Sequence, residues 1–163
     1  MLKHTMTRRG FSIGLLAVPA FAGSGFSQSV LAQGSLPAMS VSKDPNCGCC
    51  NDWISYLRKA GLTVTAAETA DMSAVKKRLG VPDDLASCHT AEIGGYVIEG
   101  HVPYPTIRKL LAEKPNAIGL AVPGMPQSSP GMDVPGSNDV YEVVLFGPAG
   151  RKRFARFRGR KEI

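Results

Sequence analysis

Three of the four cysteines in this chain lie within four consecutive residues, in the order Cys47, Gly48, Cys49, Cys50. They stand between an apolar alternating run and a segment of helical period, so the pattern places them at the start of a helix. The unpaired amides and positive dipole end of a helix stabilise a thiolate, which is both a nucleophile and a metal ligand. The cluster therefore predicts thiol chemistry or the binding of a soft metal.

Several kinds of chemistry fit this spacing. Cys47 and Cys50 form the C-x-x-C pair of a redox dithiol, in which Cys47 attacks and Cys50 resolves. Cys49 adds a third sulfur that a dithiol enzyme does not need, and three thiolates in one turn favour a soft metal. Two structural disulfides are a third interpretation in a secreted protein. Against it, a bond between neighbouring Cys49 and Cys50 is strained, and a staple between residues this close constrains little loop entropy.

A strand and a helix flank the cluster in the predicted secondary structure. Residues 36–43 alternate apolar and polar and predict the first strand. From Cys49 onward apolar residues recur at helical spacing as far as Gly61, which predicts an amphipathic helix with Cys50 on its buried face. Cys47 precedes the first turn, so we expect its sulfur to be more exposed and the first to react or to bind metal.

The order of the next elements predicts the fold class. Residues 62–65 predict a short strand, residues 71–79 a short helix, and residues 91–99 a β-hairpin. This order is typical of an α/β thioredoxin-like fold, with a central mixed sheet and flanking helices. In that fold the loop before the third strand faces the N-terminus of the first helix. We therefore expect Cys88 to lie beside the cysteine cluster.

The second half of the chain contains a further helix, a long loop and a C-terminal β-hairpin. Residues 106–113 predict a helix that packs on the sheet. Residues 123–138 are rich in Pro, Gly and Ser, and a loop of this length inside a compact domain is usually functional or disordered. Residues 141–146 and 151–158 predict the two strands of the hairpin.

Residues 1–32 have the composition of an export signal. A basic start is followed by small and apolar residues in a stretch too short to span a bilayer. The pair Arg8 and Arg9 resembles a twin-arginine signal, which exports proteins already folded, and an ordinary secretory signal is the alternative. Either signal predicts a periplasmic protein without stable membrane insertion once the signal is cleaved.

We expect cleavage after Ala32, with Ala22 as the alternative, since small residues precede the cut. The mature chain, residues 33–163, is long enough for a single thioredoxin-like domain with one core. Three of the 19 basic residues and none of the 13 acidic ones lie in residues 1–32, so the net charge falls from +6 to +3. This modest excess does not indicate a polyanionic partner.

Much of the positive charge lies near the C-terminus, in residues 151–161. Arginines alternate there with Phe154 and Phe157, which predicts an edge strand followed by a fraying tail. A patch that binds nucleic acid or an anionic membrane surface is the alternative, and export argues against nucleic acid.

Four separated blocks of the sequence resemble the family of copper-resistance proteins typified by CopG. The blocks are Cys47–Cys50 with Trp53, residues 86–90, residues 95–103 and residues 119–126. The resemblance covers residues 36–157 and implies an exported, thioredoxin-like copper protein. It also implies that Cys88 joins Cys47, Cys49 and Cys50 in one copper–thiolate site.

The ligand chemistry of the residues favours copper as well. Thiolates and thioethers select Cu(I), whereas a structural zinc site usually draws on two C-x-x-C pairs and this chain has one. His89 and His101 are further candidate ligands, although a single histidine beside a strand is more often a structural residue. Met125 is predicted to cover the copper as a thioether ligand, with Met132 a weaker candidate, and Trp53 is predicted to lie in the core.

The leading hypothesis is a copper-binding protein whose thiolates bridge several Cu(I) ions and interconvert Cu(I) and Cu(II). Its expected partners are copper ions, other periplasmic copper-resistance proteins and an electron donor. A metal-free thiol–disulfide oxidoreductase that uses Cys47 and Cys50 is one alternative, and a passive copper store or chaperone is another. Cys88 and His89 stand where such an oxidoreductase has Thr-Pro or Val-Pro, which argues against the first alternative.

Overall fold

The computed structural model describes residues 35–163, and the predicted export signal lies outside these residues. An eight-stranded sheet runs through this part of the chain. Its strands are β1 (Met39–Lys43), β2 (Val64–Glu68), β3 (His89–Ile93), β4 (Tyr96–Glu99), β5 (Gly119–Ala121), β6 (Val140–Gly147), β7 (Gly150–Arg158) and β8 (Lys161–Glu162). The helices are α1 (Gly48–Lys59), α2 (Met72–Arg78) and α3 (Tyr104–Glu113), and a short 3₁₀ turn spans Asp83–Leu85.

The strand order in the sheet is β2-β1-β3-β4-β5-β6-β7-β8. β1 pairs with β2 and β4 pairs with β5 in parallel, and every other pairing is antiparallel. The parallel pairs are joined by crossovers that contain α1 and α3, as parallel connections require. The predicted α/β class, with a mixed sheet, flanking helices and a C-terminal β-hairpin, is confirmed.

Helices cover both faces of the sheet and bury two groups of apolar side chains. The larger group joins the sheet to α1 and α3, whose buried contributions are Trp53, Ile54, Leu57, Ile107 and Leu110. The smaller group lies around the 3₁₀ turn and comprises Val81, Leu85, Val97, Ala121 and Phe146. Trp53 has no exposed surface, so its predicted place in the core is confirmed.

The structure shifts two predicted strands. β1 begins at Met39 rather than at residue 36, and β2 begins at Val64 rather than at residue 62. Leu62 is buried, yet its backbone N–H donates to the Leu57 carbonyl and closes the end of α1. Because β2 is an edge strand, it continues after Val64 through four exposed residues that carry no apolar alternation.

The C-terminal tail is ordered, and the expectation of a fraying tail is wrong. β8 pairs with the last residues of β7, and the Ile163 N–H donates to the Arg156 carbonyl at 2.8 Å. The chain turns back because Gly159 adopts a positive φ of 57°. Within the described residues, no helix is both long and apolar enough to cross a membrane.

Gly119 allows β4 and β5 to lie side by side. A Cβ on this residue would lie 1.8 Å from the Val97 carbonyl oxygen of the neighbouring strand. We therefore expect Gly119→Ala to lower the free energy of unfolding by about 3 kcal/mol, measured by chemical denaturation. Gly48→Ala is the matched control, since a Cβ there would meet no atom within 4 Å. Equal stability of the two variants would contradict this account of the β4–β5 contact.

Candidate metal centre

The predicted cysteine cluster lies at the N-terminus of α1. Cys47 is the N-cap residue of the helix, and its side chain does not cap a backbone N–H. A disulfide joins Cys47 to Cys50, so the C-x-x-C pair is in its oxidised form. Cys50 is fully buried on the core side of α1 and Cys47 is half-buried, as the helical period predicted. Cys49 and Cys88 are free thiols, which makes two structural disulfides the wrong interpretation.

Sheet register brings Cys88 to this cluster. Lys43 at the end of β1 pairs with His89 at the start of β3, so the residue before His89 faces the loop that enters α1. The Cys88 sulfur lies 3.9 Å from the Cys49 sulfur, which is 3.6 Å from the Cys47 sulfur. All four sulfur atoms lie within 4.8 Å of one another. The predicted position of Cys88 is therefore confirmed.

Two histidines extend the cluster on the other side of Cys88. The Cys88 sulfur lies 3.2 Å from His89 Nδ1 and 3.1 Å from His101 Nε2, and both imidazoles are fully buried. His101 Nδ1–H donates to the Pro130 carbonyl at 2.7 Å, which leaves the Nε2 lone pair directed at Cys88. This is the tautomer that a metal-binding histidine needs. Cys88 thus belongs to two groups of candidate ligands at once.

The surroundings shift the protonation of these groups. Burial, and then the neighbouring Cys49, raise the pKa of the Cys88 thiol to about 12. Burial lowers the pKa of His89 well below its usual value, and the neighbouring His101 and Lys76 lower it further. Burial also lowers the pKa of His101. At neutral pH both imidazoles are neutral and ready to accept a metal. Cys88 must release a proton when it binds one.

Trp53 positions the His89 ring. The two ring centroids are 4.3 Å apart, and the His101 ring meets His89 edge-on at 5.1 Å. The Trp53 indole N–H donates to the Val102 carbonyl at 3.0 Å, which fixes the indole in the core. Within residues 35–163, His89 Nε2 is buried and has no hydrogen-bond partner. The nitrogen that faces Cys88 is Nδ1, so the orphaned Nε2 lies on the other side of the ring, and a buried polar atom without a partner is uncommon in a folded protein.

A buried glutamate, which sequence reasoning missed, holds the turn that carries Cys88. Glu99 has no exposed surface and accepts hydrogen bonds from Lys76 Nζ at 2.5 Å, the Ser87 backbone N–H at 2.6 Å and Thr90 Oγ1 at 2.7 Å. Ser87 and Thr90 flank Cys88 and His89 on both sides. The only sequence signal for Glu99 is an acidic residue that ends an otherwise apolar strand.

The two methionines of the long loop, Met125 and Met132, differ in exposure. Met125 is 53% exposed, and the preceding Gly124 carbonyl accepts a hydrogen bond from the Ser87 hydroxyl next to Cys88. Met132 is half-buried in a depression that Tyr56 of α1 also lines. The loop thus lies on the site through Gly124. The role of Met125 as a thioether ligand stays a prediction, as does that of Met132.

The donor atoms suit a soft or borderline metal. With the disulfide formed, Cys49, Cys88, His89 and His101 supply two sulfurs and two nitrogens. Reduction of the disulfide adds the sulfurs of Cys47 and Cys50 to the same cluster. Thiolates select Cu(I), and imidazoles also suit Cu(II) and Zn(II). The residues present therefore fit a metal of this class, and the ligand set depends on the redox state of the C-x-x-C pair.

The fold and site define a thioredoxin-like protein with a cysteine cluster that is able to hold a metal. Two solved structures described as copper resistance protein CopG, forms 1 and 2, are 48% identical in sequence to this chain, each with a TM-score of 0.72. The matches cover 76–77% of this chain and 99–100% of theirs. A family described as "Protein of unknown function, DUF411" matches residues 85–132, and no curated protein sequence matches.

The chain belongs to the CopG family of copper-resistance proteins. The identity and near-complete coverage of those structures confirm the resemblance that the four sequence blocks carried. They also confirm the thioredoxin-like fold. The DUF411 match includes Cys88, His89, Glu99 and His101.

We expect Glu99→Gln to lower the free energy of unfolding by about 3 kcal/mol, because it leaves Lys76 without its buried partner. It should also raise the alkylation rate of Cys88, since the turn loses the anionic acceptor for the Ser87 N–H. Chemical denaturation and mass spectrometry of alkylated protein measure both effects. Glu92→Gln is the control, because Glu92 is exposed and lies 3.7 Å from Arg78. If both variants behaved as the wild type, Glu99 would not hold this turn.

Proposed function

We propose that this protein binds copper, as Cu(I), at a multinuclear site formed by Cys47, Cys49, Cys50 and Cys88. The observation that carries the proposal is the convergence of four sulfurs within 4.8 Å, one of which, that of Cys88, is brought to the other three by sheet register. Four sulfurs can serve more than one copper only by bridging. Membership of a copper-resistance family supports copper over zinc.

The histidines complete the proposed ligand set. His101 presents an unprotonated Nε2 to Cys88, and His89 presents Nδ1 at nearly the same distance. In this proposal Cys88 is the central ligand, since its sulfur faces the other three cysteines on one side and two imidazoles on the other. Met125 remains a candidate thioether ligand, because the loop that carries it contacts Ser87. Copper is the cargo or substrate of this site.

We further propose that the site is redox-active. With the C-x-x-C pair reduced, Cys47 and Cys50 can give up two electrons and two protons and form their disulfide. The two electrons reduce two Cu(II) ions to two Cu(I) ions, which keeps atoms and charge balanced. An external dithiol can then reduce the disulfide by thiol–disulfide exchange. The electron donor and any other copper-resistance protein that receives copper are therefore the proposed partners.

The proposed location is the periplasm. Residues 1–32 carry the composition of an export signal with a twin-arginine-like pair, and residues 33–163 would form one copper-binding domain after cleavage. An oxidising compartment also fits a C-x-x-C pair in its disulfide form.

A second candidate function is metal-free thiol–disulfide exchange by Cys47 and Cys50. The disulfide between these two residues at a helix N-terminus favours it, with the half-buried Cys47 as the attacking sulfur. Cys49 and the histidines would then have no role in the reaction. A passive copper store or chaperone would use the same ligands as the leading proposal without turnover.

Cys49 separates these candidates. We expect Cys49→Ser to lose most bound Cu(I) and any copper-dependent redox rate, because serine is a poor ligand for Cu(I). The fold should survive, since Cys49 is half-buried and outside the apolar face of α1. Copper content after anaerobic loading, the rate of Cu(II) reduction and the rate of insulin disulfide reduction are the three measurements.

Cys47→Ser is the matched comparison for that experiment. It should abolish copper reduction and insulin reduction together, because it removes one member of the C-x-x-C pair. Cys88→Ser should lower copper content as much as Cys47→Ser does. Full copper content and unchanged insulin reduction in Cys49→Ser would instead favour the oxidoreductase.

The export proposal has its own test. Replacement of both Arg8 and Arg9 by Lys should leave the precursor in the cytoplasm, because the twin-arginine pathway reads the arginine pair itself. Cell fractionation and the mobility of the processed chain report the result. The single change Lys3→Arg is the control, since it preserves charge outside the pair. Normal export of the double variant would indicate an ordinary secretory signal.

A further inference from the structure

Arg160, in the turn before β8, forms a two-pronged ion pair with the long loop. Its Nε lies 2.9 Å from Asp133 Oδ1, and its Nη2 lies 2.6 Å from each carboxylate oxygen. The guanidinium carbon lies 5.2 Å from the centre of the Tyr56 ring on α1. The tail, the loop and the first helix therefore meet at one arginine.

Asp133 connects Arg160 to the backbone of the loop. Its Oδ2 accepts a hydrogen bond from the Gly131 N–H at 3.0 Å, across a turn in which Asp133 has a φ of 42°. Gly131 has a φ of 88° and lies directly against α1, where a Cβ would be 2.6 Å from the Trp53 backbone nitrogen. The loop is thus held close to the helix that carries the cysteine cluster.

The residue before Gly131 contacts the site. The Pro130 carbonyl accepts the Nδ1–H of His101 at 2.7 Å, and His101 Nε2 lies 3.1 Å from the Cys88 sulfur. A carbonyl that accepts the N–H of the other ring nitrogen fixes the tautomer and ring orientation of a metal-binding histidine. Three consecutive contacts therefore connect an exposed tail residue to a candidate ligand.

We infer that Arg160 is a positioning residue for His101, acting through Asp133 and the Pro130 carbonyl. The pair sets which imidazole nitrogen faces Cys88 and how firmly the ring is held. Where copper binding is concerned the inference rests on the proposed function. The inference about the orientation of His101 in the metal-free protein does not depend on copper binding.

Another exposed ion pair of the described chain lacks this connection. Arg153 and Glu142 form a 3.0 Å pair with exposures close to those of Arg160 and Asp133. That pair joins two adjacent strands and contacts no loop at the site. Exposed ion pairs contribute little to global stability, so a structural role alone predicts the same small effect for both. A positioning role predicts a difference that is local to His101.

The test begins with metal-free protein that carries ¹⁵N-labelled histidine. In the wild type, imidazole nitrogen shifts should show His101 as a single tautomer with its proton on Nδ1. In Arg160→Gln we expect a mixture of tautomers and exchange of the Nδ1 proton faster by about tenfold, since the loop opens more often. Arg160→Lys should lie in between, because it keeps the charge without the fork. Arg153→Gln is the control and should match the wild type.

Copper binding gives the second readout. Arg160→Gln should weaken Cu(I) binding by about tenfold at unchanged stoichiometry, the size typical when a metal-binding histidine loses the group that orients its ring. In a His101→Asn background the same change should have no further effect, because the two residues act in one chain of contacts. Asp133→Asn removes the charge of the other partner of the ion pair and keeps a side-chain acceptor for the Gly131 N–H. It therefore tests the same ion pair independently.

The outcomes separate the two proposals. If wild-type protein bound no copper, the proposed function would fail, and the histidine spectra would still decide the role of Arg160. If Arg160→Gln kept the wild-type tautomer, exchange rate and copper affinity, the positioning role would be overturned. Equal changes in Arg153→Gln would also overturn it, since they would show a general effect of surface charge.

Discussion

Glu99 is the buried charge on which the geometry of the site depends. A carboxylate with no exposed surface must be paired and hydrogen-bonded, and Glu99 meets that requirement with Lys76, the Ser87 N–H and the Thr90 hydroxyl. Because two of these donors flank Cys88 and His89, satisfaction of the charge also fixes the turn that presents them. The turn then faces α1 through the pairing of β1 with β3. The site is therefore built against a polar network rather than against the apolar core alone.

Cys88 is the point at which two chemically different ligand sets meet. On one side are sulfurs from the N-terminus of α1, whose number depends on whether Cys47 and Cys50 are bonded to each other. On the other side are two neutral imidazoles held by Trp53 and by the Pro130 carbonyl. Soft sulfur favours Cu(I) and imidazole also accepts Cu(II), so this arrangement suits a site that handles copper in both states. The proposal of redox activity follows from that juxtaposition.

The long Pro/Gly-rich loop links the site to the C-terminal hairpin. Its Gly124 carbonyl contacts Ser87, its Pro130 carbonyl orients His101, and its Asp133 pairs with Arg160. The tail that was expected to fray is instead paired as β8, which gives Arg160 a fixed origin. These three contacts give so long a loop a role in a small domain, since they connect it to the turn and to the histidine beside Cys88.

The sequence by itself determined the elements and the cysteine cluster. Apolar periodicity predicted α1 and the buried position of Cys50, the pattern of residues 91–99 predicted the β3–β4 hairpin, and the order of elements predicted that Cys88 lies beside the cysteine cluster. These inferences succeeded because they depend on local periodicity and on one recurrent topology. The predicted start of β2 is wrong because Leu62 is buried at the end of α1 and not in the strand. Sequence alone cannot distinguish an apolar residue buried at a helix end from one buried in a strand.

Only the tertiary structure decided how the imidazoles, Glu99 and the long loop are arranged around Cys88. His101 and Glu99 are 13 and 11 residues away from it, and Pro130, Asp133 and Arg160 are much more distant, with no periodic pattern to connect them. Hydrogen bonds to a backbone carbonyl, such as that of Pro130, leave no trace in residue type. Likewise, the basic tail is ordered because β8 pairs with β7, and the composition of the tail does not predict that pairing. Long-range polar contacts depend on the relative positions of two groups and leave no pattern in the amino-acid composition. They can therefore be identified only in the folded structure.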